Sequence, residues 1–178
     1  FGMGNPDIAT PDHIIENLID TVKKPRAHRY SSSKGILGLR KAQANYYKRR
    51  FGVKLDPETE IIATLGSKEG LANLAMAITA PGDVMLVPNP SYPIHPYGFM
   101  IAGGTLRHLP TLHNGKFNPE EYMRSLARAV AHSVPKPVAL VVSFPSNPTA
   151  QLCTLDFYKE LTRFSIKNNL WILSDLAY

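Results

Sequence analysis

The sequence predicts an α/β domain built on a mostly parallel sheet covered on both sides. Three observations carry this. Short apolar runs alternate with helical stretches along the second two-thirds of the chain. Those runs lack the polar alternation of a half-exposed strand, as in PVALVVSF at 137–144, so both faces are expected to be buried. The breaks between them fall on turn and capping residues, such as Pro81-Gly82-Asp83, Gly103-Gly104 and Asn118-Pro119.

The elements follow in order. Thr10-Pro11 reads as an N-cap and a first helical residue, and Ile14, Ile15, Leu18, Ile19 and Val22 mark one helical face that Pro25 stops. A polar loop over 26–35 carries Tyr30 and leads to a second helix, about 36–51, with Gly52 at the C′ position. IIATL at 61–65 is a β-branched run expected to be a strand, followed by GSKEG and an apolar helix. VMLV at 84–87 is a strand that Pro88 ends, residues 93–102 are helical, and TLRHL at 105–109 is the next strand. Asn118-Pro119-Glu120-Glu121 opens a helix with a cap and acids in its first turn. Strand 137–144 follows, then a helix capped by Thr154 and running to about Asn168, then a last buried strand at 170–173. Residues 1–55 read as a helical segment leading into the domain formed by 56–178.

Composition removes several classes. At 44% hydrophobic and 19% charged, the chain of 178 residues has the makeup of a packed globule rather than a disordered one. No apolar run approaches the roughly 20 residues of a membrane span, so no membrane partner is expected. The six His show no metal-ligand clustering, and no metal is expected. One cysteine, Cys153, forms no internal disulfide and fits a reducing compartment, so a cytoplasmic location is expected. The net charge of +6 raises nucleic acid as a partner. The densest basic cluster, Lys48-Arg49-Arg50, lies at a predicted helix C-terminus, where cations complement the macrodipole. With no nucleic-acid motif beside it, nucleic acid is not expected, and a positive field serves small anions as well.

In parallel sheets ligands bind beyond the carboxyl ends of the strands. Four such ends carry chemistry. Gly66-Ser67-Lys68-Glu69-Gly70 opens a helix, where free N–H groups, the Ser67 hydroxyl and Lys68 suit a phosphate, although Ser67 could equally be a plain N-cap. Pro88-Asn89-Pro90-Ser91-Tyr92-Pro93 is a rigid loop presenting Tyr92, either to stack on a planar ring or to pack a turn. Asn147, between Pro145 and Pro148, offers an amide donor or forms a simple turn. Asp175, after the Trp-Ile-Leu run, needs a partner, which a protonated heterocyclic nitrogen or a helix cap would supply.

The succession YSSSKGILGLRKA, TLGSKEG, VPNPSYP, FPSNPT and SDLAY resembles the class I/II aminotransferases of fold type I, which use pyridoxal 5′-phosphate. The resemblance spans essentially the whole chain. It is nearest to the alanine transaminase and diaminopimelate aminotransferase branch through FPSNPTAQ and NPSYPIH. Most of the family has Gly after NPT; Ala150 stands here, as in that branch. The resemblance implies an incomplete three-layer α/β/α large domain. It implies that Ser67 and Lys68 hold the cofactor phosphate, that Tyr92 stacks on the pyridine ring, and that Asn147 and Tyr178 bond its phenolic oxygen. Asp175 would pair with the pyridine nitrogen, and Asn147 would also touch the substrate carboxylate. Tyr30 would cross a homodimer interface to the partner's cofactor phosphate, and Gly4 would belong to the loop closing over the substrate.

The reaction implied is ping-pong transfer of an amino group between an L-amino acid, alanine in the first instance, and a 2-oxo acid such as 2-oxoglutarate. The family's Schiff-base lysine and carboxylate-clamping arginines belong downstream of Tyr178. The chain, running from FGMGNPD to WILSDLAY, is therefore expected to be part of a longer protein and to lack activity alone. Two rivals share the cofactor platform: a lyase or synthase, and a catalytically inactive homologue.

Overall fold

The computed structural model describes residues 4–178. The chain divides into two units, residues 1–63 and 64–178.

In the first unit, α1 (Asp12–Val22) begins one residue later than the sequence predicts, with Pro11 in the cap position. Its apolar face is exposed throughout. Helix α2 (Leu37–Phe51) ends on Gly52 as expected, at φ 69°, the left-handed conformation that Gly adopts at least cost. Its buried residues are Ala44 and, unexpectedly, Arg40. The Arg40 guanidinium donates to the carbonyls of Gly35 and Pro57 and reaches the Glu58 carboxylate at 3.1 Å. A buried guanidinium needs such acceptors, and here backbone carbonyls supply most of them.

At the boundary of the two units one expected strand is not formed. Residues 61–65 form no strand among the described residues. A strand needs a ladder partner; the Ala63 N–H donates instead to the Lys34 carbonyl within the first unit, and Ile62 and Leu65 are exposed. The sheet is four-stranded and wholly parallel, in the order β2-β1-β3-β4, from β1 (Val84–Asn89), β2 (Thr105–Pro110), β3 (Pro137–Ser143) and β4 (Trp171–Asp175). Helices α3 (Ser67–Ile78), α4 (Ile94–Ile101), α5 (Pro119–Ala131) and α6 (Leu155–Lys167) complete the unit.

Alternate residues of the central strands enter two separate cores, which gives three layers. Met85, Val87, Ala139 and Val141 pack with Ala75 of α3 and Phe99 of α4. Leu86, Leu140 and Val142 pack with Tyr122 and Leu126 of α5 and with Phe157 and Leu161 of α6. The period of two along each strand sends successive side chains to opposite faces. Caps match their sequence signals: Asn118 accepts from the Glu121 N–H at 3.1 Å and Thr154 from the Phe157 N–H at 3.2 Å.

Two strand ends differ from expectation. β1 continues through Pro88 to Asn89, because its pairing with β3 covers only Val84–Leu86 and Pro88 need not donate on that side. β4 continues to Asp175, which pairs with Ser143 at the end of β3.

Candidate functional site

The chain leaves β1 to one side, forming α4 and β2, and then returns across it through α5 to β3. The reversal between β1 and β3 is where open parallel sheets place their ligands. A pocket of about 110 Å³ opens at this end of the sheet, and Ser67, Lys68, Tyr92, Asn147, Asp175 and Tyr178 all line it, with Ser143 and Ala177. All six large-domain residues singled out from the sequence are thus brought together, from four separate stretches of the second unit. Tyr30 and Gly4 belong to the first unit, where both are exposed.

Each side chain has a local reason for its place. Gly66 is the N-cap of α3 at φ 91°, a conformation that side chains resist. Ser67 is therefore the first helical residue, not the cap, and its hydroxyl makes no capping bond. The Glu69 carboxylate instead reaches back to accept from the Leu65 N–H. The remaining first-turn N–H groups point out of the helix, as anion sites require. Lys68 lies over Tyr92 with its Nζ 5.4 Å from the ring centroid. The Tyr92 side chain beside it pushes the Lys68 ammonium pKa up. Asn147 donates its amide to the Tyr178 hydroxyl at 3.1 Å, which leaves two polar groups side by side.

Asp175 holds a partner that sequence reasoning missed. His95, in the first turn of α4, is fully buried, and its Nε2 lies 2.8 Å from Asp175 Oδ2. A carboxylate only accepts, so Nε2 carries the proton and donates. The other oxygen, Oδ1, accepts from the Ala177 N–H at 3.2 Å. The carboxylate is held by a ring on one side and its own backbone on the other, and it lines the pocket. The available signal was NPSYPIH itself, which sets a histidine three residues after Tyr92. Its partner is 80 residues away, so only the folded sheet reveals the pair. Ala150, in the same loop as Asn147, has φ 53°, a conformation suited to the Gly common at that place.

The donor set matches one kind of ligand. A helix N-terminus with a free hydroxyl takes an anionic group, an aromatic face takes a planar ring, paired amide and phenol groups bind an oxygen, and a fixed carboxylate binds an N–H⁺. A phosphorylated pyridine carries all four complements. Among the described residues no cluster suited to a metal ion occurs, and no helix is long and apolar enough to cross a membrane.

The fold is that of an incomplete large domain of fold type I, a family whose known members use pyridoxal 5′-phosphate. The comparisons with known proteins agree. The model of the family "Aminotransferase class I and II" matches residues 1–178, and the chain belongs to that family. It is 60% identical over its whole length to a putative aminotransferase, AatC, of Rhizobium meliloti, covering 43% of that protein. It is 46% identical to the glutamate-pyruvate aminotransferase AlaC of Escherichia coli, covering all of this chain and 42% of that one. The apo-BacF structure from Bacillus subtilis superimposes with a TM-score of 0.88 at 34% identity, over 99% of this chain and 46% of that one. The chain thus spans less than half the length of the curated relatives it matches.

Proposed function

We propose that the protein to which this chain belongs transfers an amino group from L-alanine to a 2-oxo acid such as 2-oxoglutarate, using pyridoxal 5′-phosphate. The observation that carries the reading is the gathering of six candidate residues around one pocket at the sheet's carboxyl end. Similarity to the glutamate-pyruvate aminotransferase AlaC supports alanine over other donors.

In this proposal Ser67 and the first turn of α3 bind the phosphate, with Lys68 adding positive charge nearby. Tyr92 presents its ring face to the pyridine. The bound cofactor supplies an electron sink for the carbanion left when a proton leaves the substrate Cα. Asp175 keeps the ring nitrogen protonated by charge pairing, and His95 keeps Asp175 aimed at it. Asn147 and Tyr178 hold the phenolic oxygen, and the Asn147 amide also meets the substrate carboxylate.

Among the described residues the only lysine lining the pocket is Lys68, which is engaged with Tyr92. The covalent lysine and the clamping arginines are assigned downstream, and the 178-residue chain alone is expected to be inactive. A homodimer in which Tyr30 reaches the partner's phosphate site, with Gly4 in the loop closing over the substrate, belongs to the same proposal. So does a cytoplasmic location, in keeping with the single cysteine.

The test is the absorbance of the protein from the complete gene, loaded with pyridoxal phosphate. Adding L-alanine should bleach the long-wavelength band and release pyruvate, and a 2-oxo acid should restore the band. A band that ignores alanine but answers another amino acid moves the substrate. Conversion of alanine without transfer of its amino group would indicate a lyase or synthase.

A further inference from the structure

Two buried polar atoms behind the pocket are left without partners. Tyr122 Oη and His95 Nδ1 have no hydrogen-bond partner among the described residues. Tyr122 comes from α5 on one face of the sheet and His95 from α4 on the other, yet both line the same small cavity beside the ends of β1 and β3. Leaving either atom unpaired is costly, and native interiors rarely leave two together.

The alternatives narrow quickly. The two groups do not bond each other, since each lacks any partner. Both atoms are sealed from the surface, so a side chain approaching from outside does not reach them. A small polar molecule remains. The cavity measures about 10 Å³, roughly the one-probe volume that a single water requires. Ser143, Thr149 and Gln151 add polar groups to its wall.

The geometry points to a structural water that bridges Tyr122 Oη to His95 Nδ1 and makes Tyr122 a positioning residue for Asp175. The proton inventory sets the direction of the chain. In the tautomer that donates Nε2–H to Asp175, the second ring nitrogen, Nδ1, is the acceptor. The water donates to Nδ1 and accepts from the Tyr122 hydroxyl. Burial pushes the Tyr122 pKa well above the ordinary phenol value, so the hydroxyl keeps its proton and remains a donor. Tyr122, water, His95 and Asp175 form one run of donors pointing at the carboxylate, each bond strengthening the next. The consequence at Asp175 rests on the functional reading above; the water site does not.

The test uses the full-length protein before any cofactor is added. A high-resolution crystal structure should show a density peak within roughly 2.6–3.2 Å of both atoms. In Y122F that peak should be lost, and the ¹⁵N signal of His95 Nδ1 should shift while the Nε2–H to Asp175 persists. If Y122F does not fold, the wild-type density decides alone. No peak at that position, a direct Tyr122–His95 bond, or an unmoved Nδ1 signal in folded Y122F would overturn the proposal. Because these readings precede cofactor binding, their failure is separate from failure of the transaminase reading.

Discussion

The two units of this chain are built on opposite terms. The second carries two apolar cores, one on each face of a parallel sheet, and strand ends anchored in those cores place its candidate residues. The first carries helix α1 with no buried residue and helix α2 whose main buried group is a charged one, Arg40. One unit is fixed by area removed from water and the other by a few directed polar bonds. The lesson is where precision comes from: Asp175, Asn147 and Tyr92 extend from rigid elements or their immediate ends, whereas Tyr30 and Gly4 stand exposed.

The widest separation between the units should appear in core truncations. Phe99 is completely buried, so F99A should cost about 3–5 kcal/mol, whereas L18A on exposed α1 should cost less than about 0.5 kcal/mol in the same 178-residue chain. Urea unfolding measures both. Equal costs would erase the distinction. A large cost for L18A only in the complete protein would show that α1 gains a cover there.

Within the first unit the polar clamp should be lopsided. R40A removes a buried guanidinium with several acceptors and should destabilise by roughly 2 kcal/mol. E58A removes only the exposed end of the pair and should cost less than about 1 kcal/mol. Reversal of that order would mean the ion pair, not the carbonyl acceptors, holds α2 to its loop.

The smallest effect belongs to the second unit's one strained loop residue beside the site. Ala150 sits at φ 53°, and A150G should be neutral or stabilising by up to about 1 kcal/mol in thermal melts. Destabilisation would show that the Ala150 methyl makes contacts that outweigh its backbone cost.

What was legible in the sequence follows the same division. The central strands β1 and β3 were readable because burial on both faces leaves unbroken apolar runs, whereas β2 and the expected buried strand β4 are only partly buried; the caps at Asn118 and Thr154 were readable because their chemistry is local. The run at 61–65 misled because β-branched composition says nothing about whether a ladder partner is present. Asp175, Asn147, Tyr92 and Ser67 were found because strand ends and turn residues mark them in the chain. His95 and Tyr122 escaped because each occupies an ordinary apolar position of its helix, and only their meeting with groups far away in sequence gives them a role.

The central claim is that the second unit's pocket binds pyridoxal phosphate with Asp175 answering the ring nitrogen. Its most direct test is a cofactor titration, followed by absorbance, of the full-length protein and its D175N variant. The substitution keeps the shape and the bond to His95 and removes only the charge. The account predicts a dissociation constant at least about tenfold weaker for D175N, the loss of one charged hydrogen bond of about 1.5 kcal/mol or more. Equal affinity and an unchanged spectrum would contradict it.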